Sequence, residues 1–374
     1  MKILQIFGEP IANGGEESFV MNMYECIDKK RLQFDLFTPY YCENVNTKKK
    51  IESYGGKVIV RNKRFNSKLR KLYFMRELKK FLDTNKYDVV HINSGSTIML
   101  ASGARIAKKS GVKKVIVHSH CASKINMKTK ILKKFCEILF IHNTDEYLAC
   151  SSIAAECKFP KSICEQKEYK VIKNGIQLKK FQYSEETRNE YRKLLKCEKS
   201  FVMGNVGRMG FEKNQMFLLD ILEEILKTEI DAKLIIVGNG ELKERIDEKI
   251  KEKGLENNVI LLSDRSDVNK ILQAMDIFVF PSLYEGLGIA AIESQAAGLH
   301  TICSENIPDE AKVTDLLEKI ELNKGAVEWA KEILKHKEAK RNEGADNSAP
   351  SQGVTICVPV KGNRTTSGLF CAHF

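Results

Sequence analysis

The sequence predicts an α/β protein made of two Rossmann-like, doubly wound domains facing a central cleft. Short apolar runs of about 4 to 8 residues, each ending in glycine or a small polar residue, alternate with longer amphipathic stretches, as buried parallel strands alternate with helices. The alternation pauses near "NGIQLKKF" and then restarts. The chain has 374 residues, long for one domain and natural for two.

In the first half the strand-like runs are "KILQIFG", "QFDLFTP", "YDVVHIN", "KKVIVHSH", "EYLACSS" and "YKVIKNG". "EESFVMNMYECID", between the first two, has helical character. The second half repeats the plan with "FVMGNVGRM", "AKLIIVGNG", "VILLSD", "DIFVFPS" and "HTICSEN". The expected domains are therefore residues 1–173 and 174–340, hinged near residues 170–180, with ligands at the carboxyl ends of the strands. Residues 341–374 break with this composition and show no helical period, so they are expected to be a disordered tail outside the fold.

Composition narrows the partner more than the chemistry. Hydrophobic residues make up 43% and charged residues 29%, and the charge is 61 − 49 = +12, which favours an anionic partner. The 11 cysteines are scattered with no Cys-x-x-Cys pair, which suits a reducing cytosol. The opening "MKILQIFGEP" is too short and turn-limited for a signal peptide, and no stretch approaches the roughly 18 apolar residues of a membrane span. The expected location is cytoplasmic, soluble or peripheral on the inner face of the plasma membrane.

Candidate chemistry sits where strands turn into helices. In "GEPIANGGEESF", Gly14 and Gly15 permit a turn whose amides could meet a phosphate or sugar at a helix N-terminus. An ordinary βα turn uses glycine as well, and Gly-x-Gly-x-x-Gly is absent. "VIVHSHCAS" ends a strand with His118 and His120 two apart, so both imidazoles should point the same way. They suit ligand contact or hydrogen-bonded structural roles; zinc, even with Cys121, lacks a companion ligand cluster, so no metal centre is expected. In "VGRMGFEKNQ", Arg208 and Lys213 beside a helix N-terminus could neutralise a diphosphate. Two basic residues alone are more often a solvated loop. Gly238 and Gly240 of "LIIVGNGEL" could admit a base or ribose against the backbone.

The stretch "YEGLGIAAIES" places Glu285 in a loop and Glu293 in an Ala-rich helix that Gly298 should end. Carboxylates accept hydrogen bonds from paired sugar hydroxyls, and the amides around Gly286, Leu287, Gly288 and Ile289 could meet phosphate oxygens. A sugar nucleotide would satisfy the whole loop.

These motifs together, with "NGGEESFVMNMYECIDKKRLQFDLF", "HSHC", "NGI" and "FPSLYEGLGIAAIESQAAG", resemble the retaining glycosyltransferases of family 4, which have the GT-B fold. The resemblance runs from Met1 to about Trp329 and is nearest the bacterial capsular and exopolysaccharide branch. It implies that Glu293 holds the ribose hydroxyls, Glu285 the donor sugar, and Arg208 with Lys213 the diphosphate. Gly14 and Gly15 would approach the donor from the opposite domain. His120 would stand beside the transferred sugar, with His118 the alternative. The family needs no metal or other cofactor, and no Asp-x-Asp motif is present. It retains anomeric configuration by a front-face route, so the glutamates are not a hydrolase's acid and nucleophile. Members usually finish with a helix crossing back onto the N-terminal domain, for which this chain offers only its anomalous tail.

The acceptor is expected to be a saccharide, lipid-linked, because residues 61–82 and 124–140 mix Lys and Arg with apolar residues and suit an anionic membrane surface. Solvated amphipathic helices are the alternative for each segment. A uridine diphosphate sugar is the expected donor. Two rival readings are a nucleotide-sugar epimerase of the same architecture and a basic nucleic-acid-binding protein. The spaced glutamates with Arg208 and Lys213 oppose the first, and the lack of any nucleic-acid-binding motif opposes the second.

Overall fold

A computed structural model of the chain describes residues 1–339 and 341, apart from 12–14, 43–44, 63–68, 121–125, 173–175 and 264. Gly14, Cys121 and residues 342–374 therefore lie outside the described residues. Two compact units are present, Met1–Ile176 and one that begins at Gln177.

The first unit contains strands β1 (Lys2–Phe7), β2 (Gln33–Phe37), β3 (Val58–Ile59), β4 (Val89–Ser94), β5 (Lys114–Ser119), β6 (Glu146–Ala149) and β7 (Tyr169–Val171). They form one parallel sheet in the order β3-β2-β1-β4-β5-β6-β7. Every residue of β4 is buried, as a strand covered by helices on both faces requires. Helix Gly15–Cys26 packs Phe19, Val20, Met23 and Tyr24 against Ile3, Phe7 and Ile116 of the sheet.

The second unit contains β8 (Val202–Val206), β9 (Lys233–Val237), β10 (Val259–Leu262), β11 (Ile277–Phe280), β12 (His300–Ser304) and β13 (Leu317–Ile320), parallel in the order β10-β9-β8-β11-β12-β13. Its core joins Leu218, Leu222 and Ile225 of helix Gln215–Leu226 to Leu234, Ile236, Val279 and Ile302 of the sheet. Trp329 of helix Gly325–Lys335 is fully buried in the same cluster and donates its indole N–H to the Glu321 carbonyl at 3.2 Å. Each unit thus carries its own hydrophobic core.

Each sheet reverses its direction of build once, between β1 and β4 in the first unit and between β8 and β11 in the second. Loops at the carboxyl ends of such neighbouring strands splay apart and leave room for a ligand. Two strands escaped the sequence reading. β3 has two residues, and β13 is an edge strand whose middle residues, Glu318 and Lys319, are exposed, so neither shows a buried apolar run. Arg341, expected to begin the tail, is instead held in the second unit. Its guanidinium donates to the carbonyls of Gln273 at 2.9 Å, Ala297 at 3.2 Å and Met275, and lies over the Tyr183 ring.

Candidate active site

Lys213 and Glu285 form an ion pair at the switch point of the second unit. The loop after β8 is pinned from two sides. Gly207 N–H donates to the Val237 carbonyl and Met209 N–H to the Asn239 carbonyl, both at 2.9 Å, tying it to the loop after β9. Leu283 N–H donates to the Glu212 carbonyl at 2.7 Å and the Asn214 amide to the Pro281 carbonyl at 3.2 Å, tying it to the loop after β11. Asn214 has φ 54°, a left-handed conformation that asparagine tolerates better than most residues, and it turns the chain into helix Gln215–Leu226. Lys213 sits just before this corner, its ammonium 4.9 Å from the centre of the Phe280 ring.

Glycines 238 and 240 bring the loops after β8 and β9 together. A Cβ on Gly238 would stand 2.0 Å from the Gly207 carbonyl oxygen, and one on Gly240 would stand 2.3 Å from that of Met209. Protein backbone fills the directions that a side chain would take, so the glycines let the two loops touch.

Arg208 is three-quarters exposed and pairs with Glu241 at 3.0 Å rather than lying beside Lys213's partner. Nothing in the local sequence pattern marks Glu241. An exposed pair of this kind contributes about 0–1 kcal/mol, so an anion can compete for the guanidinium at little cost.

Glu285 and Gly286 are buried, Leu287 is 3% exposed, and Gly288 adopts φ 83° where the chain enters helix Ile289–Ala296. The first amides of a helix lack intrahelical acceptors and point at whatever lies before it. Glu293 follows on the same helix, half-buried, and its carboxylate has no hydrogen-bond or ion-pair partner among the described residues. Burial pushes its pKa up to about 7. Ser282 is buried beside this loop, its hydroxyl also unpartnered among the described residues. A serine following a buried strand gives no sequence signal of that kind.

In the first unit His118 and His120 do point the same way, with ring centres 4.0 Å apart. Phe19 meets His118 edge-on at 4.7 Å, and His91 stacks on the other side at 5.4 Å. Both His118 ring nitrogens are buried and have no hydrogen-bond partner among the described residues. His120 Nε2 instead stands 2.9 Å from Asn93 Oδ1, and the Asn93 amide donates to Gln5 Oε1 at 3.0 Å. This chain of bonds assigns the proton to His120 Nε2 and leaves Nδ1 as an acceptor with no partner among the described residues. Burial, with His91 nearby, depresses the His120 pKa to about 3, so the ring is neutral.

Gly15 opens helix Gly15–Cys26 and is exposed. The carboxyl of Glu16 beside it is pushed up to about 8 by burial and by Glu17. Sequence reasoning missed Gln5, His91, Asn93 and Glu16. Period two puts His91 and Asn93 on one face of their strand, but only the sheet register sets Gln5 beside His91 and Asn93 beside His118.

The chain is similar to known proteins in sequence and in fold. Residues 13–180 match the family described as Glycosyltransferase Family 4, and residues 186–323 match Glycosyl transferases group 1. EpsF of Bacillus subtilis (strain 168) is 28% identical over 335 residues, 88% of this chain and 86% of EpsF. An Escherichia coli UDP-Gal:alpha-D-GlcNAc-diphosphoundecaprenol alpha-1,3-galactosyltransferase is 31% identical over 234 residues, 61% of this chain and 60% of that protein. The crystal structure of Anabaena HepE in complex with UDP and glucose superposes with a TM-score of 0.73 at 19% identity, covering 94% of this chain and 93% of that one.

Proposed function

The chain belongs to glycosyltransferase family 4 and has the GT-B fold; from that premise we propose that it moves a sugar, with retention and without a metal, from a uridine diphosphate sugar to a lipid-linked saccharide in cell-surface polysaccharide synthesis. The observation that carries this reading is the Lys213–Glu285 pair at the switch point, set beside a helix N-terminus and the unpartnered carboxylate of Glu293. In the proposed complex the ribose hydroxyls donate to Glu293, and the diphosphate meets the helix amides, Lys213 and Arg208. Glu285, already bonded to Lys213, holds a hydroxyl of the donor sugar.

As the glycosidic bond breaks, its electron pair leaves with the diphosphate, and the acceptor hydroxyl gives its proton to a phosphate oxygen on the same face. Charge grows on the leaving group, where preorganised cations and amides stabilise a transition state most. His120, neutral and with Nδ1 unpartnered, accepts a hydrogen bond from a sugar hydroxyl rather than supplying a proton. The lipid-linked acceptor draws support from the acceptor named for the Escherichia coli relative. It also draws support from helix Met127–Ile141, which exposes Ile131, Phe135 and Ile138 together with Lys128, Lys130 and Lys134.

The test is a panel of sugar nucleotides screened by thermal stabilisation, followed by NMR of the product made with undecaprenyl-diphosphate saccharides in EDTA. An α-configured donor should give an α-linked product at undiminished rate. An inverted product, or activity lost in EDTA and restored by manganese, would overturn the mechanism, and a free epimerised sugar nucleotide would overturn the transfer reading.

A further inference from the structure

Away from these loops, three metal-ligating side chains from separate segments converge in the second unit. His300 opens β12, Glu318 lies in β13, and His336 follows the last turn of helix Gly325–Lys335. Their donor atoms all lie within 4.8 Å of one another. The fold brings them together for a clear reason. His300 and Ile302 share one face of β12, Ile302 pairs with Glu318 in register, and Trp329 and Ile333 of the helix pack on that face. The end of the helix therefore carries His336 over the other two.

His336 Nε2 stands 3.3 Å from Glu318 Oε1. Two ligands bound at about 2.1 Å around a tetrahedral ion stand about 3.4 Å apart, so this pair is already at ligand spacing. Since no separation exceeds 4.8 Å, reaching that distance takes at most about 1.4 Å of side-chain movement. The rings of His300 and His336 stack with centres 4.3 Å apart, and His300 Nδ1 is buried with no hydrogen-bond partner among the described residues. A buried nitrogen left unsatisfied is costly, and a cation would satisfy it.

We propose that His300, Glu318 and His336 bind a divalent transition-metal ion of the zinc type, which clamps the end of helix Gly325–Lys335 to the β12–β13 edge of the sheet. Two imidazoles and one carboxylate select zinc, cobalt or nickel over calcium and magnesium, with water completing the coordination. His300 begins its strand, whereas Lys213, Glu285 and Glu293 gather past the opposite, carboxyl ends. The ion is structural, not catalytic, and the site stands whether or not the proposed reaction is right.

The experiment uses the full, tag-free chain stripped with chelator. Cobalt(II) should bind at one ion per chain, giving visible d–d bands without a strong near-ultraviolet thiolate band. That distinction matters because thiols outside any disulfide, such as Cys164, are the competing ligands. Zinc at about a hundred times its dissociation constant should raise the melting temperature of this unit by about 5 °C. His300→Phe and His336→Phe keep a stacked ring but no donor, and each should weaken binding at least about tenfold and abolish the thermal shift. Glu318→Gln, at an exposed position where folding is safe, should also weaken it. A thiolate band, no saturation below about 100 µM metal, or unchanged binding in the three variants would overturn the site.

Discussion

Glu293 is a carboxyl whose pKa stands at about 7 in the fold against an ordinary 4.5. A raised folded pKa adds stability that is fully present below about 4.5 and is lost as pH rises through about 7. Glu293→Gln should therefore lose less stability than the parent across that window, as melting curves at stepped pH would read. Ribose hydroxyls donate to the ionised form, so donor affinity should rise with pH, by up to about tenfold between pH 6 and 8. A flat affinity profile by calorimetry would remove the ribose assignment. Lys213 and Arg208 separate folding from turnover in another way. Arg208→Ala breaks only an exposed pair and should leave melting within a degree or two, yet slow transfer roughly 100-fold. Lys213→Ala strands the buried Glu285 carboxylate and should cost about 1–3 kcal/mol. The double variant Lys213→Met with Glu285→Gln should recover that stability without recovering turnover. Wild-type rates in any of the folded variants would sink the diphosphate role. At this scale the sequence made Lys213, Glu285 and Glu293 visible because each sits in a loop or helix directly after an apolar strand. It hid Gln5, Asn93 and His300 because their partners lie on strands distant in the chain.

Helix Met127–Ile141 begins at a capping box, in which Asn126 accepts from Thr129 N–H at 3.0 Å and the Thr129 hydroxyl accepts in return. It buries Cys136 and Phe140 and leaves the opposite ridge bare, with Met127 70%, Phe135 78% and Ile138 68% exposed. An apolar ridge edged by lysines fits the boundary of an anionic bilayer, where each basic residue contributes about 1 kcal/mol. The protein should sediment with anionic vesicles at low salt and be released as salt shortens the screening length. Phe135→Glu together with Ile138→Glu should abolish sedimentation without lowering the melting temperature, since neither side chain packs inside. Equal sedimentation with neutral vesicles, or no effect of the substitutions, would leave the membrane out of the mechanism. The sequence located this segment by its mixture of lysine and apolar residues. Which face would be bare depended on where Tyr147 of β6 and Phe159 take up Phe140, and the order of residues does not state that.

The two units repeat one architecture, an open parallel sheet wrapped by helices around its own core. That much was determined by the sequence alone, because a strand buried on both faces must read as a continuous apolar run and its crossover as an amphipathic stretch. The same local patterns marked the loops at strand ends and showed that two carboxylates flank a glycine turn. Tertiary structure decided which of those groups meet. It paired Arg208 with Glu241 and Lys213 with Glu285, turned Gly238 and Gly240 into points of backbone contact, and gathered His300, Glu318 and His336 from residues 300–336. It also anchored Arg341 in the second unit. The reason is physical: periodicity records which face of an element avoids water, whereas an ion pair or a ligand set depends on which strands lie side by side and in what register.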